Sequence, residues 1–145
     1  MIEYRTGSDL PLPQVRALYR AVRWLHWLRP RILKQALINS DLVVSAWEDK
    51  HLIGLLRVIS DGCFNAYIAD ILVHPDHHRR GVARGMVSVV VRRFRGLYNI
   101  TAVTEDPVGE KFFKSCGFHE RRVALRLMRP IRNVVRTRIR EGRRR

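Results

Sequence analysis

The chain has few cysteines, no long apolar run and few acidic residues, and each shortage excludes a class of protein. Two cysteines, Cys63 and Cys116, are too few for a disulfide scaffold and fit no metal-ligand spacing. We therefore expect two free thiols, with a disulfide between them as the alternative. No apolar run approaches the roughly 20 residues that a membrane-spanning helix needs. Residues 1–5 lack the apolar core of a secretory signal, so a cytoplasmic protein is expected.

Acidic residues are outnumbered two to one, which makes the chain strongly basic. There are 13 aspartates and glutamates against 28 lysines and arginines, most of them arginine, for a net charge of +15. Such a charge attracts polyanions such as nucleic acid, anionic lipid or acidic substrates. The alternative is an arginine-rich genome, in which arginine replaces lysine on solvated surfaces.

The remaining composition is that of one globular domain. The chain has 145 residues, of which 46% are hydrophobic, enough for a substantial core. Apolar spacing and turn residues predict alternating strands and helices. The predicted strands are 2–5, 42–47, 52–59, 67–73 and 98–103, followed by an extended stretch over 118–128; the predicted helices are 11–24, 32–37, 82–94 and 108–116.

A basic, glycine-containing turn between a strand and a helix is the most informative segment. The first N–H groups of a helix have no internal partner and favour negative charge, so such a turn can hold a phosphate. Gly81 lets a ligand approach the backbone, and the small Ala83 keeps the start of the helix open. Arginine side chains add planar donors suited to phosphate oxygens; they are Arg79, Arg80 and Arg84.

Two motifs together resemble those of the GCN5-related N-acetyltransferases. The segment 78–83, His-Arg-Arg-Gly-Val-Ala, is similar to that family's pyrophosphate loop, and Phe112-Phe113-Lys114-Ser115-Cys116-Gly117-Phe118 is similar to its second signature. The resemblance spans residues 1–128. It implies an α/β (α+β) acyl-CoA N-acyltransferase fold, in which a mixed, mostly antiparallel sheet is flanked by helices and splays at its fourth and fifth strands. It also implies direct transfer of an acetyl group from acetyl-CoA to an amine.

The resemblance assigns most candidate site residues to the binding of acetyl-CoA. The backbone at the end of the fourth strand would pair with the pantetheine arm of acetyl-CoA, and the loop would hold the pyrophosphate. The cofactor-binding candidates are Ile71, Leu72, Val73, His78, Arg79, Arg80, Gly81, Val82, Ala83, Arg84, Asp106 and Phe113. The alternative for Asp106 is ordinary loop charge. Phe113 stands where many relatives have a tyrosine that protonates the departing thiolate, so this chain lacks that acid.

Asp70 is the candidate general base. It is the one carboxylate on a largely apolar strand, and a carboxylate removed from water takes up protons more readily. A base is needed because the acceptor amine is protonated near neutral pH. The alternatives are that Asp70 caps a turn or pairs with an arginine such as Arg57. Backbone N–H groups in the splayed region would stabilise the developing oxyanion.

Aromatic and histidine residues supply the remaining candidates. In relatives, the region of Trp24, His26 and Trp27 roofs the acceptor pocket, so these residues are candidate acceptor contacts; the alternative is aromatic core. The histidine cluster around His78 lacks a second pair of ligands, so no metal is expected and a donor near the phosphate is preferred.

The segment 129–145 is predicted to be an arginine-rich tail beyond a domain of 1–128. It carries eight arginines and one glutamate, and its partner is either a polyanion such as RNA or the ribosome, or none. A homodimer is a further alternative, because residues 118–128 are few for two final strands and a partner subunit could complete the sheet. Two functions remain: an acetyl-CoA-dependent N-acetyltransferase acting on a small molecule or peptide, and a catalytically weak module that binds CoA and docks on RNA or ribosomes.

Overall fold

A five-stranded sheet forms the centre of the computed structural model, which describes residues 1–120. The strands lie in chain order, antiparallel except for the last, which is parallel to its neighbour. They are β1 (Ile2–Thr6), β2 (Leu42–Glu48), β3 (His51–Ser60), β4 (Asn65–Val73) and β5 (Asn99–Ala102). The predicted mixed, mostly antiparallel sheet is confirmed.

Four α-helices cover the two faces of the sheet. Three of them begin with proline in the first turn, where its missing N–H costs no hydrogen bond. The helices are α1 (Leu12–Ala21), α2 (Pro30–Ile38), α3 (Val82–Arg93) and α4 (Pro107–Ser115), with short 3-10 turns at Leu25–Leu28 and Pro75–His77. The predicted helices are all present, and α1 is shorter than expected because the chain turns at Arg23, whose φ is +60°.

The helices form two cores on opposite faces of the sheet. One face packs against α3 and Phe113 of α4, with Met86 and Val90 fully buried. The other face packs against α1 and α2, with Tyr19 and Leu55 fully buried. β3 lies between its neighbours and contributes alternate residues to both cores, so its continuous apolar run follows from burial on both sides.

A bulge and a separation of strands shape the middle of β4. Pairing of β3 with β4 passes from Arg57 opposite Asp70 to Val58 opposite Ile68, so Ala69 is an extra residue. The bulge moves Asp70 onto the α1 side, whereas Ile68 faces α3.

Pairing of β4 with β5 ends at Ile68 and Ala102. Residues 69–73 therefore have no β5 partner, which confirms the predicted splay; the predicted last strands and the tail 129–145 lie outside the described residues.

Candidate active site

The backbone of the loop before α3 forms a cradle for an anion. Arg79 and Gly81 have left-handed φ angles of 59° and 78°, on either side of Arg80. This geometry turns successive N–H groups toward one side. The first helical hydrogen bond runs from Gly85 N to Gly81 O, so the three preceding amides of α3 have no acceptor within the helix. A Cβ built on Gly81 would meet no atom within 4 Å, so the space in front of the cradle is open.

A left-handed conformation at the non-glycine residue Arg79 is uncommon and costs free energy. Its side chain is exposed and makes no hydrogen bond or ion pair with residues 1–120. Of the three loop arginines, Arg79 is therefore the one whose guanidinium has no hydrogen-bond partner among residues 1–120.

The other two arginines hold the loop to the rest of the protein. Arg80 donates to both carboxylate oxygens of Glu48 at the end of β2, at 3.0 and 2.5 Å. Arg84 donates to the backbone and side-chain oxygens of Ser115, at 3.0 and 2.9 Å, which ties α3 to the end of α4. Their contact with phosphate stays a prediction: the charge of Arg80 is paired with that of Glu48, whereas Arg84 donates to neutral oxygens and has no carboxylate partner among residues 1–120.

Each of the three histidines next to the loop has its own protein partners. The Nε2 of His78 donates to the carbonyl oxygen of Val73 at 3.0 Å, and the His77 ring lies against Glu48 and Arg80. His74 instead contacts Asp76. Within residues 1–120 no group of three or more histidine, cysteine or acidic residues is arranged to hold a metal ion.

The free edge of β4 begins where β5 stops. His74 N donates to Ile53 O of β3 at 2.8 Å, so alternation directs the backbone groups of Leu72 toward β3 as well. The N–H and C=O groups of Ile71 and Val73 then point to the opposite edge, into the wedge between β4 and β5. Of the three predicted pantetheine contacts, Ile71 and Val73 have the required orientation, while Leu72 packs its side chain into the α1 core.

Asp70 lies beside this edge in a buried network. Its side chain is 9% exposed, and its Oδ2 accepts hydrogen bonds from Arg57 Nε at 2.6 Å and from the Tyr19 hydroxyl at 2.9 Å. The alternative in which Asp70 pairs with Arg57 is thus confirmed. Neither donor binds Oδ1, which accepts no hydrogen bond from residues 1–120.

The partners of Asp70 are held in defined protonation states. Burial, followed by the nearby charge of Asp70, raises the pKa of Tyr19 far above its usual value, so the phenol stays protonated. Burial opposes the charge of Arg57, but the charge and hydrogen bond of Asp70 outweigh it and raise the pKa of Arg57. The site thus combines a permanent cation, a neutral hydroxyl and one carboxylate.

Aromatic side chains extend from Tyr19 to the surface. The rings of Trp24 and His26 lie 6.1 and 5.2 Å from the Tyr19 ring, so two of the predicted acceptor contacts pack against the residue that donates to Asp70. The third predicted acceptor contact, Trp27, has the Arg20 guanidinium over its ring, 5.3 Å from the centroid. It also packs at the edge of the α1 core, as the aromatic-core alternative anticipated.

The candidates on α4 have structural partners. Asp106 caps α4, because its carboxylate accepts from Gly109 N at 2.7 Å. A Cβ on Gly109 would overlap the side chain of Thr104, so glycine fits this position. Phe113 is 8% exposed and packs edge-on against Phe112 and Phe118, with ring centroids 5.2 Å apart in both pairs.

Sequence reasoning did not single out Tyr19 or Glu48. Tyr19 belongs to the apolar stripe of α1, and the available signal was that a buried tyrosine hydroxyl needs a polar partner. Glu48 directly follows a predicted strand, and the sequence pattern predicts that it belongs to a turn. Only the folded chain brings it within reach of Arg80, 32 residues later.

Comparison with known proteins agrees with this geometry. The model of the acetyltransferase (GNAT) family matches residues 11–121, most of the chain. The chain belongs to the GNAT family. Among its relatives are "Histone acetyltransferase TAP1" of Glycine max, 33% identical over 131 residues, and "GCN5-related N-acetyltransferase 2, chloroplastic" of Arabidopsis thaliana, 36% identical over 140 residues. Both alignments cover 81% of this chain, but only 55% and 53% of those proteins.

Solved structures share the GNAT fold. The GNAT family protein SP0256 of Streptococcus pneumoniae superposes with a TM-score of 0.77 at 25% identity, covering 90% of this chain and 100% of that one. The protein AAC(6')-Iy, solved in complex with the bisubstrate analogue CoA-S-monomethyl-acetylneamine, superposes with a TM-score of 0.67 at 22% identity, and the match covers 90% of this chain and 99% of that one. Among residues 1–120, no helix has the length and apolarity required to cross a bilayer.

Proposed function

We propose that this GNAT protein transfers an acetyl group from acetyl-CoA to an amine of a small molecule or peptide, by direct attack in a ternary complex. The cradle formed by Arg79 and Gly81 supports this most strongly, because it joins left-handed backbone, free helix amides and open space at one point. The wedge beside Ile71 and Val73 begins at the same end of β4. The residues present therefore fit acetyl-CoA, which supplies an activated thioester when bound.

The chain's own groups account for the proton transfers. The amine forms a bond to the thioester carbon while the carbon–sulfur bond breaks, and the proton that it loses in this step passes to solvent. To attack at all, the acceptor must first lose the extra proton that makes it an ammonium ion. We assign that proton to Asp70 Oδ1, directly or through water, since Oδ2 is occupied by Arg57 and Tyr19. The amides of Ile71 and Val73 are oriented to bind the pantetheine arm or the developing oxyanion. Water protonates the thiolate, because Phe113 has no proton to donate.

One relative is named a histone acetyltransferase, which makes a protein amine one acceptor class to test. We propose residues 1–128 as the catalytic domain, 129–145 as a tail and the cytoplasm as the location. One relative has the word "chloroplastic" in its name, so the plastid is the alternative location. Imaging of the tagged protein distinguishes the cytoplasm from the plastid.

A second function is favoured by one observation, the lack of an acid at Phe113. In that function the protein binds CoA without efficient turnover and docks on RNA or ribosomes through its basic surface. Both functions require the loop, so they separate only in a turnover assay. Binding of acetyl-CoA with no acetylated product from any amine in a broad panel would favour the second.

The loop is tested by calorimetric titration with acetyl-CoA and with CoA, using a matched pair of variants. Gly81 and Gly62 both have left-handed φ angles, 78° and 72°, and both face open space. Gly81→Glu and Gly62→Glu therefore add the same charge and the same backbone strain, but only the first places them at the proposed cradle. We expect loss of binding in Gly81→Glu and native affinity in Gly62→Glu. Equal affinities in the two variants would overturn the proposed function.

A further inference from the structure

The helices that cover Asp70 contain no acidic residue at all. Between residues 10 and 40 there are six basic side chains and no aspartate or glutamate, whereas the chain as a whole has 13 acidic residues. All six are exposed. They are Arg16, Arg20, Arg23, Arg29, Arg31 and Lys34, and we refer to this surface of α1, the 3-10 turn and α2 as the basic cap.

The basic cap is the exposed surface of the layer that packs on the Asp70 side of the sheet. Tyr19 of α1 donates to Asp70, and its ring contacts Trp24 and His26 of the cap at 6.1 and 5.2 Å. Trp24 is 37% exposed, so an aromatic surface runs from the Tyr19–Asp70 pair to solvent. A molecule that brings its amine in along this aromatic surface therefore lies against the basic cap.

Arginines on the cap are fixed in place by the turn between α1 and α2. Arg16 Nε donates to the carbonyl oxygen of Trp27 at 3.2 Å, and the Arg20 guanidinium stacks 5.3 Å from the Trp27 ring. These two side chains and the Trp27 ring line a surface hollow on α1. Both guanidinium groups keep donors for a ligand, because neither has a carboxylate partner among residues 1–120.

Nearby carboxylates offset only part of this charge. Asp9 and Asp41 border the segment and balance at most two of its six positive charges, and Asp70 is paired with Arg57. Like charges brought together in a cleft repel, and opposite charges raise both the encounter rate and the affinity. A lysine-rich acceptor would thus meet a repulsive surface, whereas an acidic acceptor would be attracted to it.

We propose that the acceptor is the amine of an acidic peptide segment, with aspartate or glutamate side chains near the amine that contact the basic cap. A peptide fits better than a nucleic acid, because the reaction needs an aliphatic amine and nucleic-acid bases carry only weakly nucleophilic ring amines. The inference rests on the proposed function, since it names the substrate class of the same site. It assigns substrate selection to α1 and α2 rather than to the pyrophosphate loop.

Binding and turnover are measured separately, with the full chain saturated with CoA or acetyl-CoA. Three fluorescent peptides carry the same free amine followed by acidic, neutral or basic residues, and an RNA oligonucleotide of equal negative charge serves as competitor. We expect the acidic peptide to bind at least tenfold more tightly than the basic one at 50 mM salt, with the difference shrinking as salt rises. Equal binding, or tighter binding of the basic peptide, overturns the inference.

Matched charge variants locate the effect. Arg16→Gln together with Arg20→Gln removes two charges from the basic cap, and Arg92→Gln together with Arg93→Gln removes two exposed charges from the end of α3. Because exposed ion pairs are individually weak, we expect a loss of about threefold to tenfold in affinity for the acidic peptide in the first variant and none in the second. Equal losses, or displacement of the peptide by RNA at lower concentration, also overturn the inference.

The two hypotheses fail in different ways. If the acidic peptide binds preferentially but none of the peptides is acetylated, the surface assignment stands and the enzymatic function fails. If all three peptides are acetylated with equal kcat/KM, the enzymatic function stands and the acidic acceptor is wrong.

Discussion

Arg80 and Glu48 form a two-pronged ion pair that ties the pyrophosphate loop to the end of β2. The two hydrogen bonds measure 3.0 and 2.5 Å, and His77 lies against both partners. The hydrogen bond and charge of Arg80 hold the pKa of Glu48 below its usual value, so the carboxylate stays ionised. The pair fixes a side chain in the middle of the cradle, between the left-handed residues Arg79 and Gly81.

We therefore predict that Glu48 and Arg80 act as one unit in acetyl-CoA binding. Glu48→Gln and Arg80→Gln should each weaken binding by a similar factor, because either change releases the loop. The double variant should be no weaker than the single variants, which a double-mutant cycle of calorimetric affinities measures. If Arg80 instead contacts phosphate directly, Arg80→Gln weakens binding while Glu48→Gln strengthens it.

The Asp70–Arg57 pair is predicted to be a major contributor to stability. The side chains are 9% and 14% exposed, so removal of one partner leaves a buried charge. Arg57→Met should lower the free energy of unfolding by about 3–5 kcal/mol. Arg57→Met combined with Asp70→Leu should lower it less, since no unpaired charge remains. Urea unfolding followed by tryptophan fluorescence checks this, and a loss under 1 kcal/mol in the single variant would contradict it.

Asp70 is also predicted to carry the proton transfer. Asp70→Asn keeps the shape of the side chain and an oxygen for Arg57 and Tyr19, but it cannot take up a proton from the amine. We expect kcat to fall by about 10²-fold or more, while acetyl-CoA affinity stays within twofold. Tyr19→Phe is the control, because it removes one hydrogen bond to Oδ2 and leaves Oδ1 in place. An equal loss of kcat in both variants would indicate a positioning role instead.

Local patterns in the sequence predict the elements of this fold well. Some elements depend on neighbouring residues alone. These are the strands β2, β3 and β4, which have apolar runs, and the start of α3, which follows a glycine. The bulge at Ala69 could not be predicted in this way. It depends on how β3 pairs with β4, and it decides that Asp70 faces Tyr19 rather than α3.

Only part of the candidate site could be predicted, because some of its contacts join residues that are distant in the sequence. The cradle is local, so its glycine and the backbone of residues 79–84 could be identified from the motif. The partners of its arginines are distant in sequence: Glu48 lies 32 residues before Arg80, and Ser115 lies 31 residues after Arg84. A solvated arginine and an arginine bound to a distant carboxylate have the same local pattern, and only the tertiary structure distinguishes them.

The turn between β3 and β4 gives a prediction on pH dependence. Asp61 Oδ1 accepts from the backbone N–H groups of Cys63, Phe64 and Asn65, at 2.9, 2.8 and 2.9 Å. These hydrogen bonds hold the pKa of Asp61 well below its usual range, and the bond from Asn65 has the largest effect. Because the folded pKa is lower than the unfolded one, the stabilisation is complete above the unfolded value of about 4 and is lost as pH falls toward the folded value.

Asp61→Asn isolates this contribution, because asparagine keeps an acceptor oxygen but has no charge to titrate. We expect the variant to have a lower Tm than the wild type at pH 7, and the difference to shrink progressively below about pH 4. Asp9→Asn, at an exposed residue before α1, is the control and should leave Tm unchanged at pH 7. A Tm difference for Asp61→Asn that stays constant from pH 7 to pH 2 would show that the backbone hydrogen bonds do not depend on the charge of Asp61.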